Sequence, residues 1–340
     1  MIELNELKDA AQKAFPADQL SPDRDESWKL IAEMGWLMLP VPEELGGLGL
    51  GRDAATALHF ELGRVLSSAP LITAMFSVQV LCAADKLANK AEWVERACSG
   101  EFITLNMLSN DVTLNDDGTL SGPLYAVPDA DMASHVIVFV PGLSVLVPLD
   151  TDGVTVTERP LWDESRRLFE VTLEKCPVDR DLVIAEGDRS QEIGLGFKAE
   201  SLLALAADSL GGATATLEMT VEYLKTRKQF NRPLAMFQSL KHRCADLKTQ
   251  ITAAEALLWS RAADMDASLA DMGALKALAA DVYQFVTEEA IQLHGGIGLT
   301  DEHQCHLFMK RAMLNLSLGG SGDELKERTG RQALAAFAAK

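Results

Sequence analysis

The chain has 340 residues, 48% of them apolar and 24% charged, which is enough apolar material for two or three globular domains without a disulfide or metal staple. Acidic residues outnumber basic ones 50 to 31, and the net charge of −19 repels phosphate backbones and anionic lipid, so neither nucleic acid nor a membrane is expected as a partner. No apolar run approaches the ~20 residues of a membrane span, the N-terminus lacks a signal h-region, and the five scattered cysteines (Cys82, Cys98, Cys176, Cys244, Cys305) form no CxxC pair, a combination that predicts a reduced, cytoplasmic protein.

Residues 1–105 predict an N-terminal helical domain. Ile2, Leu7, Ala11 and Phe15 are spaced as a short amphipathic helix. Ser21 or Asp23 caps a second helix that carries Trp28, Ile31, Met34 and Leu37 at helical spacing. Residues 39–51, LPVPEELGGLGLG, are a breaker-rich loop, and DAATALHFELGRVLSSAP predicts a helix stopped before Pro70. From 106 to 185 the pattern changes to short β-prone runs. Asp117-Gly118 marks a hairpin, Pro141-Gly142 splits HVIVFV from SVLVPL, and VTVTERP and LFEVTLEKCPV follow, so a small antiparallel β-domain is expected.

Residues 186–340 turn helical again. Leu203, Leu210, Leu217 and Leu224 recur every seven, with Ala206, Ala213 and Val221 between them. Leu240, Cys244, Leu247, Ile251, Ala254 and Leu258 form a second stripe, and Leu275, Leu278, Val282, Val286, Ala290 and Leu293 a third. With a further segment from about 304 to 318 these predict a four-helix bundle. Gly211-Gly212 inside the first helix costs ~1 kcal/mol per glycine relative to alanine, which a close helix–helix approach would explain.

Three stretches have chemical potential. In TRKQFNRPLAMFQ (226–238), Arg227, Lys228 and Arg232 fall at a helix end beside Phe230. Cations there complement the helix dipole, and a guanidinium next to an aromatic ring also suits a nucleotide. In EEAIQLHGGIGLTDEH (288–303), the glycines after His294 cap a helix or admit a close backbone or phosphate, and His294 itself reads as a favourable charge at a helix C-terminus. LGGSGDELKER (318–328) reads as a loop and a helix capped by Ser321 or Asp323. There is no HExxH, no GxSxG elbow, no Walker spacing and no His/Cys/Asp set at metal-ligand spacing, so no metal is expected.

Taken together, TRKQFNRP, the following FQ and AD, and QLHGGIG resemble the acyl-CoA dehydrogenase family of flavoenzymes. MGWLMLPVPEELGGLGL, ELGRVLSSAPL and LWDESRRLFEV resemble further landmarks of that family in the same order. The resemblance implies an N-terminal helical domain, a middle β-domain and a C-terminal four-helix bundle. It also implies an acyl-CoA substrate, which loses an α-proton to a carboxylate and a β-hydride to FAD, and an electron-accepting flavoprotein. By resemblance Arg227 binds the FAD pyrophosphate and Phe230 and Gln238 line its adenosine–ribityl half, with Gln292, Gly295 and Gly296 close to that half. In the family these groups serve the cofactor of a neighbouring subunit.

The chain departs from that family where the reaction happens. The usual catalytic glutamate position reads Gly319, and the alternative position on the first bundle helix reads Ser201, with Glu200 beside it. Adjacent helical residues point ~100° apart, so Glu200 replaces Ser201 only if the register shifts. The stretch that cradles flavin and thioester in the family reads LNMLSNDVTLNDDG here. The resulting expectation is a subunit of a hetero-oligomeric acyl-CoA dehydrogenase that completes the FAD site of a longer partner carrying the base. Such paired chains occur in steroid and bile-acid side-chain degradation. The alternatives are a self-sufficient homo-oligomer using Glu200, or a non-catalytic scaffold.

Overall fold

The computed structural model describes residues 4–107 and 110–338, so Ile2 and the Leu108-Ser109 pair of the altered cradle stretch lie outside the described residues. In chain order the elements are α1 (Leu4–Ala14), α2 (Arg24–Glu33), α3 (Arg52–Arg64), α4 (Leu71–Ala83), α5 (Lys90–Cys98), β1 (Ile103–Leu105), β2 (Thr113–Leu114), β3 (Thr119–Pro128), β4 (His135–Val140), β5 (Leu143–Pro148), β6 (Val154–Arg159), β7 (Leu168–Pro177), β8 (Val183–Glu186), α6 (Gly187–Thr226), β9 (Lys228–Gln229), β10 (Arg232–Pro233), α7 (Gln238–Ala263), α8 (Leu269–His294), α9 (Cys305–Ser317) and α10 (Gly322–Ala338). This is the helical, β, helical order that the sequence predicts. Two compact units are built from it. One takes the N-terminal stretch to Pro22, Arg52–Ser67 and the chain from Leu202 onward; the other takes Asp23–Gly51 and Ser68–Ser201. α6 starts in the second and continues in the first.

The second unit holds two four-stranded sheets, ordered β1-β4-β5-β8 and β2-β3-β7-β6. Pairing is antiparallel throughout except between β1 and β4. That parallel pair is possible because the chain leaves β1, builds β2 and β3 in the other sheet, and returns as β4, a crossover of the length parallel neighbours require. Alternate residues of β4 (Val136, Val138, Val140), β5 (Leu143, Val145, Val147) and β7 (Phe169, Val171, Leu173) fill a common core, as the two-residue period of a strand dictates. Ile137 and Leu146 on the opposite face are buried too, which is why β4 and β5 read as continuous apolar runs. Pro141-Gly142 forms a two-residue turn closed by Val140 and Leu143, with Gly142 at φ +79°. Asp23 is the cap of α2, accepting the N–H groups of Asp25 and Glu26, while Ser21 lies outside the helix. Met34, expected on the buried stripe, is 37% exposed because α2 ends at Glu33.

The first unit is the helical bundle. Leu203, Leu210, Leu217 and Leu224 of α6 are all buried, together with Leu247, Ile251, Ala254 and Leu258 of α7. Leu278 departs from the α8 stripe at 40% exposure. α10 joins α6–α9 as a fifth helix. Ser321 caps it by accepting the Glu324 N–H at 3.3 Å, and Leu325 is buried. The close approach expected at Gly211-Gly212 is present. A Cβ on Gly211 would collide with the Phe60 carbonyl oxygen of α3, one on Gly212 with the Tyr283 hydroxyl of α8, and one on Gly63 of α3 with the Asp208 carbonyl oxygen of α6. Gly211→Ala is therefore expected to push α3 off α6 and lower stability by about 1–3 kcal/mol despite alanine's better helix propensity, a shift that a denaturant titration reads directly.

Candidate functional site

α6 ends at Thr226, and the Arg227 N–H still donates to the Tyr223 carbonyl at 2.8 Å. The chain then doubles back as β9 and β10, pairing Gln229 with Arg232 and Lys228 with Pro233, and the Leu234 N–H donates to the Arg227 carbonyl at 2.9 Å. Phe230 and Asn231 form the two-residue turn, at φ +53° and +61°. Hairpins of this length favour such a turn, and asparagine tolerates the left-handed region, but a phenylalanine there is strained. Lys228 and Arg232 thus lie on a hairpin beyond the helix, so the dipole reading of the three cations does not apply to them. Arg232 stacks its guanidinium over Phe237 at 4.0 Å, whereas Arg227 is exposed and makes no ion pair among the described residues. Phe230 is 85% exposed. Phe230→Asn is expected to hold or raise the melting temperature of the chain by relieving about 0.5–1 kcal/mol of backbone strain, measured by differential scanning calorimetry.

The other motif meets the last turn of α6, just before this hairpin. The ring of Tyr223, one helical turn before Arg227, stacks on the His294 ring with centroids 4.4 Å apart, and its hydroxyl donates to the His294 carbonyl at 3.3 Å. The end of α6 is thereby tied to the end of α8, through the residue one turn before Arg227 and the residue just before Gly295. Gly295 caps α8 at φ +68° and ψ −147°, a conformation that glycine alone adopts with ease. Gly296 has open space where a Cβ would stand. Gln238, at the first position of α7, and Gln292 are exposed, as are Gly295 and Gly296. His294 is only 4% exposed, and burial pushes its imidazole toward the neutral form, so it is not the solvated cation expected at a helix C-terminus. His303 lies 4.3 Å from it, centroid to centroid, and Cys305 is buried next to both. Sequence reasoning did not single out Tyr223; its place four residues before Arg227 was the signal.

Neither position for a catalytic carboxylate holds one. Gly319 sits at φ +74°, and a Cβ there would lie 3.0 Å from Leu202 Cδ2 and 3.1 Å from Leu205 Cδ1, so the backbone and its neighbours are both shaped around a residue without a side chain. Ser201 is buried and donates its hydroxyl back to the Lys198 carbonyl at 2.9 Å. Glu200 is half-buried and lines a cavity of about 200 Å³ between α4 and the start of α6, with Phe76, Val80, Arg189 and Phe197. Phe197 meets Phe76 edge-on at 5.6 Å and stacks parallel to Phe139 at 6.2 Å. The aromatic side chains leave less room than the ~300 Å³ at which ordinary small-molecule sites begin. A larger open groove of about 970 Å³ runs past Asn110, Asp111, Pro141, Gly142, Asp188 and Ser190. Among the described residues its lining includes two carboxylates and no cation, a poor match for nucleotide phosphates.

Comparison with known proteins shows the family. The model of the acyl-CoA dehydrogenase N-terminal domain matches residues 4–101, and that of the acyl-CoA dehydrogenase C-terminal domain matches residues 199–334. The acyl-CoA dehydrogenase IpdE2 of Mycobacterium tuberculosis is 33% identical over 312 residues, covering 89% of this chain and 86% of the relative. Among solved structures, the steroid ACAD Tcur3481-Tcur3483 superposes with a TM-score of 0.86 at 26% identity, covering 99% of both chains. The ChsE4-ChsE5 complex of Mycobacterium tuberculosis superposes at 0.85 with 22% identity, covering 98% of both. Fold and sequence together define an FAD-dependent flavoprotein oxidoreductase acting on CH–CH bonds. The chain belongs to the acyl-CoA dehydrogenase family. Among the described residues, no helix is long and apolar enough to cross a membrane.

Proposed function

We propose that this chain is a subunit of a hetero-oligomeric acyl-CoA dehydrogenase, and that its Arg227, Phe230, Gln238, Gln292, Gly295 and Gly296 complete an FAD site whose catalytic base belongs to a longer partner chain. The observation that carries this reading is Phe230, held at a strained φ of +53° and 85% exposed, where it contributes nothing to its own core. Strain at an exposed tip is retained where something outside the chain rewards it. Around it, Arg227 offers an uncommitted fork for a pyrophosphate and Gly296 offers bare backbone to a close neighbour, so the residues fit one half of the dinucleotide. FAD bound there supplies the hydride acceptor. This chain's residues hold and orient its nucleotide half, while its own cavity beside Glu200 is narrowed by Phe76 and Phe197.

A polycyclic, steroid-type acyl-CoA is the substrate class this reading favours, supported by the steroid ACAD and by the two-component ChsE4-ChsE5 complex among the structural relatives. Electrons leave through an acceptor flavoprotein. Five free cysteines fit a reducing, cytoplasmic setting. The test is flavin content: the chain purified alone is expected to be colourless, and the chain co-expressed with its partner to be yellow. About one FAD per chain on the protein alone would overturn the proposal. A second reading, a homo-oligomer using Glu200 as base, is favoured by the position of that carboxylate on a cavity wall. It requires Glu200→Gln to abolish turnover while flavin content is unchanged.

A further inference from the structure

Ten residues separate the end of α8 from the start of α9, and the fold uses them to bring together three side chains that the sequence shows no reason to associate. The donor atoms of His294, His303 and Cys305 all lie within 4.8 Å of one another. His294 Nδ1 stands 2.7 Å from the Ala290 carbonyl oxygen, so Nδ1 carries the proton and donates it there. The neutral ring then has its lone pair on Nε2. That atom is buried and has no hydrogen-bond partner, in a residue that is 4% exposed. An unpaired buried acceptor is costly, and a histidine whose other nitrogen donates to a backbone carbonyl is the arrangement found behind metal ligands. The Cys305 thiol is fully buried on the same small space. His303 is partly exposed and opens a route from solvent. Its Nδ1 accepts the Cys305 N–H at 3.2 Å, a long bond that coordination through that nitrogen would displace.

We propose that His294 Nε2, Cys305 Sγ and a ring nitrogen of His303 bind one thiophilic d10 cation, Zn²⁺ or Cu⁺. Two imidazoles and a thiolate suit both ions: Cu⁺ accepts three ligands in a plane, and Zn²⁺ takes water as a fourth through the exposed side of His303. As the sulfur–metal bond forms, Cys305 releases its thiol proton to solvent. The ion would fasten the start of α9 to the end of α8 and so brace the Gly295-Gly296 segment. The site is independent of which chain carries the catalytic base.

The experiment uses the full chain, reduced and stripped with a chelator, and titrates it with Co²⁺ as an optical stand-in for Zn²⁺. One equivalent is expected to produce a thiolate-to-Co²⁺ charge-transfer band that Zn²⁺ then bleaches. Under anaerobic conditions the same protein competes for Cu⁺ against a chromophoric chelator, and the stronger of the two responses identifies the ion. Cys305→Ser removes the band, His294→Gln weakens binding by about 10–100-fold, and Cys244→Ser changes neither. Circular dichroism checks that each variant is folded, and the wild-type titration decides the matter even if one is not. Wild-type protein that takes up neither Co²⁺ nor Cu⁺ stoichiometrically, or a band that survives in folded Cys305→Ser protein, overturns the proposal.

Discussion

Arg227→Ala is expected to weaken FAD binding by the assembled enzyme about 100-fold while leaving the melting temperature of the chain itself unchanged. The guanidinium is exposed at the end of α6 and makes no ion pair among the described residues, so its loss costs the isolated fold little; surface substitutions of this kind stay within about 0.5 kcal/mol. At an interface with a pyrophosphate the same group makes paired, charge-assisted hydrogen bonds, and removing one partner of such a contact costs about 3 kcal/mol. The two readouts therefore separate: flavin retention by fluorescence should collapse, and calorimetry of the chain should not move. Full flavin retention by the variant would remove Arg227 from the site and with it the half-site reading of the hairpin.

Asp208→Ala is expected to lower the melting temperature by on the order of 10 °C. Asp208 on α6 pairs with Arg311 on α9 at 3.0 Å, and the side chains are 5% and 1% exposed. The carboxylate also accepts from Asn315 Nδ2 at 2.7 Å, and Arg311 donates onward to the Ser67 carbonyl at 3.1 Å. Truncating the acid takes the Asp208 carboxylate away from a buried guanidinium, which costs about 3–5 kcal/mol because burial removes the water that would otherwise solvate the charge. Replacing both members, Asp208→Ala with Arg311→Met, is expected to recover much of the loss, since no uncompensated charge is left. A double variant no more stable than Asp208→Ala would mean that the carbonyl contacts of Arg311, rather than the ion pair, hold this part of the bundle together. Thermal unfolding of the three proteins distinguishes the cases.

Patterns that act over a few residues are legible in the chain without coordinates. The seven-residue recurrence of Leu203, Leu210, Leu217 and Leu224 specifies one buried face of a helix, because residues at that interval return to the same side of it. The Pro141-Gly142 pair specifies a turn, because one residue fixes φ near its required value and the other accepts the positive φ that follows. Gly211-Gly212 signals a close approach, though not that α3 and α8 are the elements approaching. Other features were invisible for a physical reason. The parallel pairing of β1 with β4 depends on where the intervening chain goes, not on any property of either strand. The exposure of Leu278 follows from which helices happen to lie alongside α8.

The site divides the same way. Local sequence carries the family motifs, the absence of a carboxylate at Gly319 and Ser201, and the chemistry that an arginine beside a phenylalanine can perform. Tertiary structure alone decides that Tyr223 clamps His294 and so ties the end of α6 to the end of α8, that Phe230 is turned outward at a strained φ, and that two phenylalanines from α4 and α6 line the cavity beside Glu200. Composition, helix and strand periods and turn chemistry are properties of neighbouring residues, and the sequence determines them by itself. Which donors share a buried space, and which side chains are left facing outward, depend on contacts between residues far apart in the chain, and those exist only once the chain has folded.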